Sequence, residues 1–302
     1  MFVKNILYTF HLPLFFFLSG FVADFRQREW NLGVWGRFVG KRALSLLVPG
    51  LTFMALSFLD IGQWSFPWFL AALFEMLLLF SVPRWLASRF GASWPAEMAA
   101  HGLVWAGLAG YVATGGTGAW QQFVSLKLMV VFHPFFLFGR LACCWNLPKR
   151  IEEWRWMYTL ALLLYAAVLG DQFAGARIPA SVAKYPLGVC AIVVFLRLAM
   201  DIRQDSRTGR TFGLLGRNSL CIYLLSAYFI PCFPALGDLF VRSDAFGHYG
   251  ISGFRHVTSV FLQLTTGILV ASYVCVACLL AKKVVEKSAV LDFLLFGTLK
   301  RR

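Results

Sequence analysis

The chain has 302 residues, of which 59% are hydrophobic, 17% aromatic and only 14% charged, and its mean hydropathy is +0.70. Soluble domains carry about 25% charged residues, so this composition excludes a water-solvated fold for most of the chain. The net charge of +14 does not point to nucleic acid either, because the basic residues sit in connections between apolar runs instead of forming one polar face.

Apolar runs long enough to cross about 30 Å of hydrocarbon recur from end to end. They predict an all-α, polytopic transmembrane helical bundle of about nine spans: Lys4 to Ala23, Leu44 to Ile61, Phe66 to Pro83, Met98 to Ala113, Leu126 to Cys143, Trp156 to Gln172, Tyr185 to Met200, Ser219 to Gly237 and Val257 to Ala281. Residues 1–302 read as one integral membrane domain with no separate soluble domain, and a lipid bilayer is the first partner. The first span runs on through HLPLFFFLSGFVADFRQR with no small-residue cleavage site, so it is expected to stay in the mature chain.

The connections alternate in charge. Of the 28 lysines and arginines, all but Lys4, Lys127, Arg177, Lys184, Arg242 and Arg255 follow spans one, three, five, seven and nine or adjoin their ends. The positive-inside rule makes that side cytoplasmic, with the start outside and the C-terminus in the cytoplasm. A chain that begins outside without a signal is awkward to insert, so one further helix is expected upstream of Met1. Prolines inside spans (Pro13, Pro49, Pro134, Pro231, Pro234) free carbonyls that neighbouring helices or cavity water must satisfy, which predicts kinked helices packed inside the bundle. The competing explanation is that proline is simply common in membrane helices.

Few residues inside the spans can carry chemistry, and each ionisable one is a functional candidate because burying it in hydrocarbon is costly. His11 follows Lys4 by seven residues and His133 follows Lys127 by six, in helices that run the same way, so both imidazoles are expected at one depth. Their surroundings echo each other, HLPLFFFLSGF against HPFFLFGR. The structural alternative is an imidazole that only donates to a carbonyl freed by the neighbouring proline. Glu75, after WFLAALF, falls close to mid-membrane by count and is expected to need a histidine or arginine across the bundle, catalytic or merely structural. His101, Asp60 and Asp171 lie nearer span ends and are expected to meet water.

Seven cysteines offer no metal-ligand spacing beyond Cys275 and Cys278, which sit in an apolar run without partner ligands, so no metal site is expected. HExxH, GxSxG, GxxxxGK[ST] and GxGxxG are all missing from the sequence, and the glycine cluster from Thr114 to Gly118 reads as a loop.

HLPLFFFLSGF at His11 to Phe21 resembles the membrane acyltransferase-3 family, and further matches follow in the family's order. These are KRALSLLVPGL from Lys41, WFLAALF from Trp68, HPFFLFG from His133, GRNSLCIYLLS from Gly216 and a basic tail. The resemblance implies a ten-helix enzyme of the bacterial inner membrane that passes an acyl group, usually acetyl, from acyl-CoA to a hydroxyl of a glycan or lipid-linked carbohydrate. His11 is the family-matched histidine left near the reacting region and, with Glu75 and His133, makes up the catalytic candidates, while Arg37, Lys41 and Arg42 are candidates for binding the coenzyme A phosphates, although positive-inside charge alone also explains those three. The chain departs from the family in starting after the helix that usually carries the catalytic histidine, in having Ser45 where a second arginine is common, and in having Ser226 where many members have histidine. Two rival readings are a transporter or flippase for an amphiphilic glycan, which uses similar kinked helices, and an inactive truncated homologue.

Overall fold

The computed structural model describes residues 2–23, 30–62, 66–91, 93–115, 125–173, 178–230 and 252–298. Among these residues every regular element is a helix: α1 Phe2–Ala23, α2 Leu32–Ile61, α3 Trp68–Arg89, α4 Trp94–Ala113, α5 Leu126–Cys144, α6 Leu147–Glu153, α7 Arg155–Phe173, α8 Ala180–Met200, α9 Arg207–Arg217, α10 Ser219–Phe229, α11 Ser252–Val285 and α12 Ala289–Phe296. Each of the nine predicted spans falls on one of these helices. Five contain a stretch long and apolar enough by itself to cross a membrane: Leu32–Asp60, Trp68–Arg89, Leu126–Cys144, Ser181–Met200 and Leu264–Val285. Thr9–Ala23 and Ser219–Phe229 are shorter apolar helices. The end of the eighth predicted span, with Pro231 and Pro234, lies outside the described residues. So do residues 116–118 of the glycine cluster.

The basic segment before the second span is helix and not loop. Asn31 caps α2, its side chain accepting from the Val34 N–H at 2.8 Å, and Gly62 ends it in the left-handed region at φ 67° with its N–H on the Phe58 carbonyl. The early start has a packing reason, because Phe38 on the first turns is buried against Trp30, with ring centroids 5.0 Å apart. Leu44 is therefore the fourth turn of the helix, and Arg37, Lys41 and Arg42 project from the turns before it.

The chain forms two compact units, principally Tyr8–Arg203 and Gln204–Phe296. In the first, α1 and α5 cross at a reciprocal pair of glycines. A Cβ on Gly20 would strike the Phe136 carbonyl, and one on Gly139 would strike the Phe17 carbonyl, so neither position has room for a larger residue. Phe16 stacks on Phe132 beside this crossing at 5.0 Å. The glycines of LSGF and FLFG are thus the contact that lets two Phe-rich helices approach to backbone distance. Pro134 leaves the Val130 carbonyl without its helical donor, and Trp105 on α4 supplies one, its Nε1–H donating at 2.8 Å. A neighbouring helix meets the freed carbonyl, as the prolines led one to expect.

In the second unit α10 packs on α11, with the Cys221 thiol 3.7 Å from the Cys278 carbonyl and Lys282 Nζ donating to Asn218 Oδ1 at 2.5 Å. Cys275 and Cys278 are free thiols, and no group of three or more metal-ligating side chains forms among the described residues.

Candidate functional site

The densest polar arrangement is built by α3, α4 and α5. Ser93 and Pro95 start α4, which places Glu97 in its first turn and His101 four residues on, on the same face. On α5, His133 and Arg140 are seven residues apart, two turns along one face. The two faces meet. Glu97 is 1% exposed and accepts from Arg140 Nε at 3.3 Å and Nη2 at 3.5 Å, while Arg84 from the end of α3 donates to it through Nη1 at 2.8 Å. Two guanidinium groups thus flank one carboxylate.

Farther along the helix pair, the rings of His101 and His133 lie 6.0 Å apart and both are wholly buried. His101 stacks on Phe80 at 5.2 Å with planes 8° apart, and His133 lies nearly parallel to Phe136 at 6.1 Å. None of the four imidazole nitrogens has a hydrogen-bond partner among the described residues. Buried polar atoms of this kind ordinarily cost about 1–3 kcal/mol each when unsatisfied, which sets the pair apart from the apolar packing around it.

Of the three catalytic candidates, Glu75 and His133 are not brought together. The α1–α5 crossing pairs Phe16 with Phe132 and Gly20 with Phe136. The same crossing sets Gly139 against the Phe17 carbonyl. His11 is exposed, whereas its neighbours hold α1 in place: Thr9 Oγ1 lies 3.0 Å from Tyr165 OH, and Phe10 stacks on Phe195 at 4.4 Å.

Among the described residues Glu75 finds neither histidine nor arginine. Its two oxygens accept from the Ser125 N–H at 3.2 and 3.0 Å, placing a carboxylate at the N-terminal end of α5, where the helix dipole favours negative charge. His133 is eight residues farther along α5, about 12 Å away along the axis.

Arg37 and Lys41 are exposed one turn apart on α2, and Arg42 is half-buried with its guanidinium 5.6 Å from the centre of the Phe38 ring. Asp60 is exposed at the end of α2. Asp171 accepts from the Ile178 N–H at 3.0 Å, tying the end of α7 to the start of α8.

His101, expected to meet water, is 0% exposed. The predicted span placed it in the first turn, but the helix begins four residues earlier, and of that added turn Glu97 is buried against Arg84 and Arg140. Glu97 was passed over, and Arg84 and Arg140 read as loop charges. The signal that finds them is Glu97 with His101 at four residues and His133 with Arg140 at seven, both helical repeats of a polar face inside apolar runs.

The acyltransferase-3 family, described as an acyltransferase domain, matches residues 1–281. No curated protein and no solved structure matches.

Proposed function

The chain belongs to the acyltransferase-3 family, matched over residues 1–281, and from that premise we propose that it transfers an acyl group, acetyl as the usual case, from acyl-CoA to a hydroxyl of a glycan or lipid-linked carbohydrate. The observation that carries this reading is the exposed His11 in the family segment HLPLFFFLSGF, on a helix locked to α5 by the glycine crossing. A general base has to touch its substrate, and His11 is exposed, whereas Glu75 is half-buried and His133 wholly buried.

In this mechanism His11 accepts the proton of the acceptor hydroxyl as its oxygen attacks the thioester carbonyl. The carbon–sulfur bond breaks, coenzyme A leaves as the thiolate, and the proton passes from the imidazolium to that sulfur. Glu75 and His133 serve the reaction as positioning residues, Glu75 at the start of α5 and His133 in its buried middle. Arg37 and Lys41, one turn apart and exposed, are suited to the donor's phosphates, with Arg42 held over Phe38 behind them. The bias of basic residues supports a cytoplasmic position for this face and for the C-terminus in a bacterial inner membrane.

Purified protein incubated with radiolabelled acetyl-CoA and a crude envelope glycan fraction tests the proposal. Label entering the glycan is expected. Translocation of unmodified glycan in proteoliposomes, with no label transferred, would make the chain a flippase instead.

A further inference from the structure

Helix α9 takes no part in the chemistry above and has no buried residue. Ser206 caps it, Oγ accepting from the Gly209 N–H at 2.9 Å, so the 11-residue helix is well defined even though it packs so little. At about 100° per residue Arg207, Arg210 and Arg217 fall within one arc of roughly 80°, with Phe212 nearly opposite and Leu215 beside it. Leu214 stands among the arginines. Phe212 is 58% exposed. None of the three arginines forms an ion pair among the described residues, and Arg217 only donates from Nε to the Gly213 carbonyl at 3.2 Å.

The level of α9 in the molecule is set by its C-terminal end. Asn218 joins it to the apolar α10 and accepts from Lys282 Nζ. Lys282 and Lys283 lie in the last turn of α11, at the end of the apolar stretch Leu264–Val285. Hydrocarbon gives way to headgroups where such a stretch ends in lysines. The helix therefore begins its run at the boundary, with three uncompensated guanidinium groups on one side and a bare aromatic ring on the other.

We propose that α9 lies in the membrane interface and binds anionic phospholipid, its Arg207, Arg210 and Arg217 on headgroup phosphates and its Phe212 and Leu215 in the acyl boundary. A short helix with a basic face and an aromatic opposite it is stable in that plane, and guanidinium groups take phosphate oxygens two at a time. Charge complementarity selects phosphatidylglycerol-type lipids over zwitterionic ones. This assignment goes beyond acyl transfer and holds whatever group the enzyme moves.

The full-length protein, purified in detergent and titrated with phosphatidylglycerol and phosphatidylcholine of equal chain length, is to be examined by native mass spectrometry. The wild type retains phosphatidylglycerol in several-fold preference. Arg207→Gln, Arg210→Gln and Arg217→Gln together bring the ratio close to parity, whereas Lys149→Gln with Arg150→Gln leaves it in place. An unchanged preference in the triple variant overturns the assignment, and so does displacement of the bound phosphatidylglycerol by micromolar coenzyme A, which would give the arginines to the donor. Should the triple variant not fold, a photoreactive benzoylphenylalanine in place of Phe212 in mixed-lipid nanodiscs decides the matter. Adducts on lipid chains support interfacial placement, and labelling without lipid adducts rejects it.

Discussion

The segments around His11 and His133 are close in composition, each a histidine, a proline within two positions, an aromatic run and a glycine, yet they end in opposite surroundings. His11 is exposed on α1, while His133 is sealed between Phe136 and His101 in the α4–α5 interface. The glycines explain why the similarity does not extend to the histidines. Gly20 and Gly139 pack each against the other helix's backbone, so the two segments are halves of one contact and not two copies of one site. A crossing orients each helix about its own axis, and the histidine then faces whatever lies on that side. On the proposed mechanism, chemistry that needs contact with substrate falls to the exposed partner, and the buried one is left to fix geometry.

The largest expected effect tests this division directly. His11→Ala lowers acyl transfer by about 10²–10⁴-fold while the thermal unfolding midpoint stays put, the size ordinarily lost with a general base. The reverse pattern, His133→Ala inactive with unchanged stability and His11→Ala active, would exchange the two roles. Next is the buried cluster. Glu97→Gln removes a buried carboxylate that pairs with both Arg84 and Arg140 and costs about 3–5 kcal/mol, to be read from reversible unfolding in detergent. A loss confined to activity would instead make Glu97 part of the reaction.

Gly139→Ala drives a methyl into the Phe17 carbonyl and is expected to destabilise by about 1–3 kcal/mol. Gly36→Ala on α2 meets nothing within 4 Å and should be neutral or slightly stabilising, and equal effects at the two positions would break the account of the crossing. The smallest effect belongs to the exposed face. Arg37→Gln with Lys41→Gln raises the acyl-CoA KM about fivefold with kcat preserved, since solvent-exposed charges contribute about 1 kcal/mol or less. An unchanged KM removes coenzyme A from α2.

Much of the bundle was legible without coordinates. Long apolar runs admit few solutions other than helices, because hydrocarbon forces every backbone group to be satisfied within its own segment. The polar cluster was partly legible, in the four-residue spacing of Glu97 and His101 and the seven-residue spacing of His133 and Arg140. It was missed where helix starts were placed too late. Hydropathy registers lipid exposure, and the first turns of α2 and α4 are polar at positions that packing nonetheless buries or orders.

The sequence by itself determined the all-helical membrane architecture, the family, and which residue types stand ready for chemistry, since each of these depends on composition and local order along the chain. Only the tertiary structure decided that Glu75 meets a backbone N–H, that Glu97 sits between two arginines, and that His11 and His133 differ in exposure. Those outcomes depend on axial offset and rotation between helices, which are set by a few close contacts such as the Gly20–Gly139 crossing and are not written in either helix alone.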